Sequence, residues 1–579
     1  MLSGLLVGGV VFASCQTPPP ATELLPSAGV GDRVDTPGGT IHALSLGPVA
    51  AWDPQRIGSR DEMAFASRVF ARTLTTYAVS TAAEGQSKVV PDLATTTGTP
   101  DVTLKKWTFT LRDGVKWQDG SAVTCADVAY GISRSFATKE ITGGPTDAMA
   151  VLAVPRKVDG TSTYAGPYDV SAANKAGQAA FDKAVACTGK NLVFTLSVPV
   201  SDFNEMVTLP AWGPVKRSAD RGASAPYAVF SAGPYMLKGA WTPSVGGTWV
   251  RNPHWSRESD EVRTALPNEI RAQEGLETQT VAQQIMADGT TGRASIALGS
   301  APPALQQQIT AVQALRDRSV NPRTGLVDYL VPNVKSTVMA KEPIRLALAA
   351  STNRDAYVTA IGGATSADPV LSLIPEPFLA AHEGDPVGVG TKGDPVKAAA
   401  ILATAKIKTP VTIRIAYRSS DSSDKALAAL LPGWQAAGFE PELVPISEDY
   451  FTAISAPEMA KKVDVFWSNW APAWASASTI LPPLFESTIN VTAEGPGRDY
   501  GYWADPETNA AIAKVGAISD RAAREKAWGD LDVSLLRQGA YIGLADRRAM
   551  YVAGSDIRNF SANEILGGVV EFADIAVAG

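Results

Sequence analysis

Hydrophobic and polar residues alternate along two segments of the chain, as is typical of strands that are buried on one face. In WTFTLR the apolar residues Trp107, Phe109 and Leu111 alternate with polar or charged ones, and NLVFTLSV at 191–198 repeats the pattern. Strands of this kind pair through their apolar faces. We predict that the two segments lie in one antiparallel sheet.

Between these strands, the stretch SAVTCADVAYGISRSF changes to a helical period. Thr124 followed three residues later by Asp127 resembles a capping box, which predicts that a helix begins there. The apolar face of that helix consists of Cys125, Val128, Ile132 and Phe136. Cys187 immediately precedes the second strand, so a sheet beside the helix would bring the two cysteines close together.

Residues 411–470 follow a third pattern, strand, helix, strand, strand. VTIRIAYR and FEPELVPI are the first two predicted strands, and the helix between them is broken near Pro432. KKVDVFWSNW ends in a further strand, which predicts a parallel α/β unit. Ligands of such sheets collect beyond the carboxyl ends of the strands, and Trp470 to Trp474 follow directly after one such end.

The first 40 residues consist of an apolar run and then a stretch rich in Pro and Gly. Residues 1–14 are too short to cross a bilayer, so we interpret them as a signal peptide. Ala13 and Ser14 before Cys15 resemble the lipobox of bacterial lipoproteins, which implies that Cys15 is lipidated. Residues 15–40 are then a lipidated tether. The alternative is an apolar N-terminal helix with an incidental free cysteine.

Composition and net charge limit the number of domains and the kinds of molecule that the protein can bind. With 579 residues, 45% of them hydrophobic, the chain can form two or three packed domains. A net charge of -7 gives no basic surface for nucleic acid. The lipidated cysteine would hold the protein outside the cytoplasm, on the outer face of the cell membrane. In that oxidising compartment Cys125 and Cys187 are a candidate disulfide, and two buried free thiols are the alternative.

Catalytic and metal-binding patterns are weak. The three histidines are His42, His254 and His382. Their spacing fits neither a zinc nor a haem site, so we expect no metal and no cofactor. Ser422 and Lys425 match S-x-x-K but lack the partner motifs of penicillin-binding proteins. Residues 388–393 match G-x-G-x-x-G within a loop rather than after a strand, so we discount a nucleotide site.

The stretch WTFTLRDGVKWQDGSAVTCADVAYGISR resembles the signature of the family 5 extracellular solute-binding proteins, the oligopeptide- and dipeptide-type receptors of ABC importers. Further blocks follow in the order of that family: PDLA, SAGPYML, VRNPHW, PIRLALAASTNRDA, DPVKAAAIL and VDVFWSNW. The resemblance covers nearly all of the chain beyond the tether. It implies a monomeric receptor that binds a solute and hands it to permease subunits, without being an enzyme.

The resemblance also implies an α/β architecture, the type II periplasmic-binding-protein fold with two lobes and an extra subdomain on the N-terminal lobe. By that analogy lobe I comprises residues 41–275 and 545–579, its subdomain lies within about 60–205, and lobe II comprises 276–544. The ligand would be enclosed between the lobes.

For the ligand site, the resemblance points to the segment after VDVFWSNW. We expect Trp470 and Trp474 to be aromatic walls, with Asn469 and the Ala471 backbone as polar contacts. Peptide-binding relatives commonly carry an aspartate at the position of Ala473, which pairs with the peptide ammonium. Its absence leaves two ligand classes open, a peptide held by another acid and a non-peptide solute such as a sugar or metal complex. A secreted hydrolase acting on cell-wall material through Ser422 is the alternative from another class.

Overall fold

The structure, a computed structural model, describes residues 25–26, 29, 33–44, 48–378, 380, 384–447, 449–492 and 495–578. The predicted signal peptide, Cys15 and His382 lie outside the described residues. Three sheets of four or more strands organise the described chain. None of its described helices has the length and apolar character that a bilayer span requires.

We call the body around the five-stranded sheet lobe I. Its strands are, in order across the sheet, Ser295–Ala297, Thr40–Leu44, Glu269–Gln273, Gly246–Arg251 and Tyr235–Thr242. The first three are paired in parallel, and Gly246–Arg251 is antiparallel to both of its neighbours. Its core is a cluster of aromatic rings in which Trp249 stacks on Phe70 at 4.8 Å and Trp52 meets Trp241 edge to face at 5.1 Å.

We call the body around the six-stranded sheet lobe II. Its strands are, in order, Ala367–Pro369, Ile542–Arg548, Arg323–Pro332, Val465–Trp470, Val411–Arg418 and Phe439–Ile446. The last three run parallel, as predicted for 411–470. The predicted helix break is also confirmed, since Asp421–Ala428 ends before Leu431–Ala436 begins with its proline. The predicted loop of residues 471–474 follows the carboxyl end of this parallel unit.

The third sheet forms the subdomain, with strand order Thr99–Pro100, Lys106–Thr110, Asn191–Thr195 and Val185–Thr188. Both alternating segments are antiparallel neighbours in it, which confirms that prediction. The helix Cys125–Arg134 begins at the predicted capping box, where the Thr124 amide donates to the Asp127 carboxylate at 2.9 Å. Cys125 and Cys187 are paired as a disulfide, with Cα atoms 5.8 Å apart.

The remaining paired strands are Thr75–Tyr77 with Val89–Pro91, Ser319–Val320 with Tyr551–Val552, Ile557–Arg558 with Ala576–Val577, and Ala562–Asn563 with Val569–Val570. The α-helices are Arg60–Val69, Ala83–Gln86, Cys125–Arg134, Asp147–Val151, Ala172–Ala184, Phe203–Met206, Thr278–Met286, Pro303–Ala311, Gln313–Arg316, Glu342–Ser351, Arg354–Ala360, Pro395–Thr404, Asp421–Ala428, Leu431–Ala436, Tyr450–Ser455, Leu481–Phe485, Ser487–Asn490, Pro506–Gly516 and Arg521–Arg537.

The strand pairing shifts the limits of the lobes from the predicted ones. Ser295–Ala297 pairs with Thr40–Leu44, so the chain remains in lobe I beyond residue 275. The reason is a β–α–β unit, in which Glu269–Gln273 is followed by the helix Thr278–Met286 and a parallel strand. At the other end, Ile542–Arg548 still pairs within lobe II, beyond the predicted return at 545.

The described part of the predicted tether is packed against lobe I. Leu25 is buried, and the Pro26 carbonyl accepts a hydrogen bond from the Asn321 amide at 2.9 Å. Farther along, the Val34 amide donates to the Asn559 side chain at 2.8 Å. The Pro- and Gly-rich composition predicted a free tether because it offers few apolar side chains. Backbone hydrogen bonds hold this segment instead.

Candidate functional site

The loop that follows Val465–Trp470 bridges the two lobes. The Trp474 indole N–H donates to the Asp202 carboxylate at 2.8 Å, and the Ser478 hydroxyl donates to the same carboxylate. The Ala475 amide donates to the Tyr77 hydroxyl at 2.9 Å. Asp202 and Tyr77 belong to the chain before lobe II. The segment predicted from the sequence therefore lies where the two bodies meet.

Trp470 and Trp474 differ in their surroundings. Trp470 is half-buried, its indole N–H donates to the Thr479 carbonyl at 2.8 Å, and the Arg498 guanidinium lies 4.9 Å from its ring centroid. Trp474 is buried, and its polar edge is occupied by Asp202. Its surroundings are those of an interlobe contact. The structure thus leaves Trp470 as the better placed of the two for a ligand wall.

Asn469 and Ala471 flank Trp470 and are half-buried as well. In the sheet, Asn469 stands opposite Asp328 and Trp470 opposite Val327. Neighbours along a strand point to opposite faces, so the Asn469 and Trp470 side chains lie on different sides of the sheet. The structure therefore places both residues at the strand end but gives their side chains different surroundings. Their role as ligand contacts stays a prediction.

Ala473 faces lobe I across a small cavity of about 40 Å³. Its lobe I lining includes Arg60, Ser67, Tyr77 and Leu566. A peptide-sized site needs roughly 300 Å³ or more, so the lobes must separate there before a ligand enters. Arg60 is the only charged residue among those that line this cavity. The carboxylate that Ala473 lacks is therefore not supplied by another lining residue.

Five charged residues form an interlobe cluster beside the bridging loop. Asp202 and Glu205 lie on one side, and Arg521, Arg524 and Glu525 lie at the start of the lobe II helix Arg521–Arg537. The Arg521 Nε is 3.3 Å from the Glu205 carboxylate. Burial raises the pKa of Glu205 to about 8, because Arg521, partly exposed, offsets only part of the loss of solvation.

Two chain segments cross between the lobes side by side, at 320–323 and 548–551. Next to them is Asp546, which is buried and has no hydrogen-bond partner for either carboxylate oxygen within the described chain. Burial raises its pKa to about 8, with Arg323 opposing and Asp368 reinforcing the shift. Neither the interlobe charges nor this carboxylate carries a local sequence signature, so sequence reasoning missed them.

A larger cavity, of about 420 Å³, lies away from Ala473, between lobe I and the subdomain. Its charged lining includes Asp53, Arg134 and Asp220, and Arg134 forms ion pairs with both carboxylates. These three charged side chains pair with one another and are not left free to bind a ligand. For this reason we place the functional site at the interlobe cleft and not in the larger cavity.

The sequence patterns that suggested chemistry have ordinary structural surroundings. Ser422 and Lys425 are exposed on the short helix Asp421–Ala428. In the glycine-containing loop, the Asp385 carboxylate accepts hydrogen bonds from the amides of Val387 and Gly388. The described residues contain no group of three or more His, Cys, Asp or Glu side chains that could hold a metal ion.

Comparison with known proteins gives a consistent picture. The family model described as bacterial extracellular solute-binding proteins, family 5 Middle, matches residues 88–491. The probable D,D-dipeptide-binding periplasmic protein DdpA of Escherichia coli K12 is 22% identical over 492 residues, which cover 83% of this chain and 84% of that protein.

Two solved structures share the fold. The clavulanic acid biosynthesis oligopeptide binding protein 2 has a TM-score of 0.84 at 23% identity, over 95% of this chain and 97% of that one. The Haemophilus influenzae OppA complex with the peptide RPPGFSPFR has a TM-score of 0.62 at 17% identity, over 95% and 100% of the two chains.

Proposed function

Because this chain belongs to the bacterial extracellular solute-binding proteins of family 5, we propose that it is the extracytoplasmic receptor of an ABC importer that binds peptides between its lobes. It delivers them to the permease. The observation that carries this proposal is the bridging loop after Trp470, which lies at the carboxyl ends of the parallel strands and contacts both lobes. The names of the similar proteins, which refer to dipeptides and oligopeptides, support the ligand class.

Ligand capture works through closure of the lobes. A ligand in the cleft contacts lobe I and lobe II together only when the cleft is shut, so its binding energy favours the closed state. The crossing segments at 320–323 and 548–551 are the positions at which the chain can bend. Hydrogen bonds to a peptide backbone then hold many sequences, while roomy pockets accept their side chains.

We propose Asn469, Trp470 and the Ala471 backbone as ligand contacts on lobe II. The proposal includes no covalent chemistry, since the described residues near the cleft present no activated nucleophile. It also includes a lipid on Cys15, which attaches the monomeric receptor to the outer face of the membrane. A lipoprotein cysteine carries more than one acyl chain, which is enough for lasting attachment.

A second ligand class follows from one observation. No carboxylate lines the cavity at Ala473, so a non-peptide solute or a peptide without a free amine would meet no penalty there. An unpaired ammonium in the same place would lose about 3–5 kcal/mol, as for a broken buried ion pair.

Native mass spectrometry of freshly purified protein tests the proposed function. We expect a noncovalent ligand whose fragmentation gives a peptide, and that peptide should rebind to ligand-free protein in calorimetry. Trp470→Ala should weaken rebinding about tenfold because it removes an aromatic wall. Trp255→Ala, which removes a half-buried tryptophan of lobe I, is the matched control. Recovery of a sugar would contradict the peptide as ligand and favour the second ligand class, and conversion of the peptide during incubation would contradict a function limited to binding.

A further inference from the structure

A second cavity, of about 220 Å³, lies on lobe I. Leu298 and Gly299, which directly follow the strand Ser295–Ala297, line it, and so do Pro48 and Val49 beyond Thr40–Leu44. The cavity therefore opens at the carboxyl ends of parallel strands, the edge at which α/β sheets bind ligands.

The helix Arg60–Val69 separates this cavity from the one at Ala473. Arg60, Met63 and Ser67 line the interlobe cavity, whereas Asp61, Glu62 and Phe65 line the lobe I cavity. Residues three or four positions apart share a helical face, so these two sets lie on opposite faces of one helix. The two cavities are thus one helix width apart.

Two carboxylates in the lobe I cavity form no ion pair with any described residue. Asp61 is exposed at its mouth, and no described residue gives it a hydrogen bond or a salt bridge. Glu62 is 9% exposed, and its Oε1 accepts the Ala50 amide at 2.7 Å, but its Oε2 has no partner in the part of the chain that the structure describes. Loss of solvation raises the pKa of both side chains. The charge of Arg60 partly opposes this shift at Asp61, but the Arg60 guanidinium donates its hydrogen bond to the Thr324 carbonyl at 2.9 Å.

The walls of the cavity are aromatic, and one of them carries an unused donor. Trp52, Phe65 and Phe572 line it. The Trp52 indole N–H is buried and finds no acceptor among the described residues. Buried polar atoms in folded proteins nearly always have partners, so two such atoms at one cavity, the Trp52 Nε1 and the Glu62 Oε2, indicate a missing molecule. Aromatic faces beside carboxylates are the surroundings that ammonium and guanidinium groups prefer.

We propose that this cavity is a subsite for a cationic group of the ligand, an ammonium or a guanidinium, held by Asp61 and Glu62 against the aromatic walls. The inference rests on the proposed peptide-binding function. The volume suits one terminus or side chain rather than a whole peptide. It also accounts for Ala473: the positive charge of the ligand is neutralised on lobe I, so no carboxylate is needed on lobe II.

Four tripeptides, titrated into ligand-free full-length protein, separate the two sources of positive charge. Trialanine and N-acetyl-trialanine differ in the terminal ammonium, and N-acetylated Ala-Lys-Ala and Ala-norleucine-Ala differ in the side-chain ammonium. If the subsite binds the terminal ammonium, trialanine should bind about tenfold more tightly than its acetylated form. If it binds the side-chain ammonium, the lysine peptide should bind about tenfold more tightly than the norleucine peptide. Equal affinities within both pairs would overturn the proposal.

Variants of the cavity residues test whether the cavity causes the preference for cationic peptides. Asp61→Asn removes a charge that supports no contact within the described chain, and it should reduce the preference at least threefold, with affinity for the neutral peptides unchanged. Asp61→Asn with Glu62→Gln should abolish the preference. Glu507→Gln, at an exposed acid in the first turn of Pro506–Gly516, is the matched control and should keep it. A preference that persists in the double variant would overturn the subsite.

If no peptide binds, the proposed function fails. Binding of methylguanidinium alone then tests whether the cavity is a cation site. A thermal shift with methylguanidinium that wild type shows and Asp61→Asn lacks would support the cavity as a cation site. No shift in wild type would overturn it.

Discussion

Replacement of Glu205 by Gln should change how the stability of the protein depends on pH. Glu205 is 1% exposed and lies in the interlobe cluster with Asp202, Glu525 and Arg521. Burial raises its pKa to about 8 from the ordinary value of 4.5, and the neighbouring carboxylates reinforce the shift. Attraction to Arg521 acts in the opposite direction but is weakened by its 35% exposed side chain.

The sign follows from proton binding. A carboxyl group with a raised pKa holds its proton more tightly in the folded state than in the unfolded one, so folding is favoured at low pH. Stability is then lost as pH rises from about 4.5 to about 8. Each pH unit in that window changes the free energy of unfolding by at most about 1.4 kcal/mol per group. Because Glu205 and its neighbouring carboxylates titrate together, only part of this change belongs to Glu205. We expect Glu205 to account for a loss of about 2–3 kcal/mol in the free energy of unfolding between pH 5 and pH 8.

Urea denaturation of wild type and Glu205→Gln at pH 5, 6.5 and 8 measures this contribution. Asp546 and Asp499, whose pKa values are raised to about 8 and about 7, titrate in the same window. They contribute equally to both proteins, so the difference between the two profiles isolates Glu205. The variant should lose less stability than wild type as pH rises. Profiles that run parallel within about 0.5 kcal/mol would refute the reasoning.

Two further predictions concern the bridging loop and the subdomain. Trp474→Phe keeps an aromatic side chain, although a smaller one, but removes the donor to Asp202. It should weaken the interlobe contact by about 1.5–3 kcal/mol and increase the radius of gyration in small-angle scattering without ligand, and an unchanged radius would contradict this. The Cys125–Cys187 disulfide closes a loop of 62 residues, so the double variant Cys125→Ser, Cys187→Ser should lower the free energy of unfolding by about 4 kcal/mol. Thiol titration of denatured, unreduced wild type should find neither of these cysteines free.

Local patterns in the sequence were sufficient for local structure. The alternation around Trp107 and the capping box at Thr124 specify their elements through contacts within a few residues. The resemblance to a family supplied the two lobes, and the family match and the fold support it. It also located the loop after Trp470, which the structure places between the lobes.

Contacts between distant parts of the chain leave no local pattern in the sequence from which they could be predicted. Trp474 and Asp202 are separated by 272 positions, so no periodicity in the sequence relates them, and the role of Trp474 as a ligand wall stays a prediction. Asp61 and Glu62 read as an ordinary acidic first turn of a helix. Only the assembled fold shows that aromatic rings line their cavity and that no described Lys or Arg lines it.

If Cys15 carries the proposed lipid, the packed segment at Leu25 would limit how far the receptor can move from the membrane. With a lipid on Cys15, nine residues, or ten Cα–Cα steps, separate the lipidated cysteine from the first described contact with the body, at Leu25 and Pro26. Fully extended, they reach about 35 Å. The attachment point at Leu25 would therefore stay within about 35 Å of the bilayer, with that side of lobe I facing the membrane.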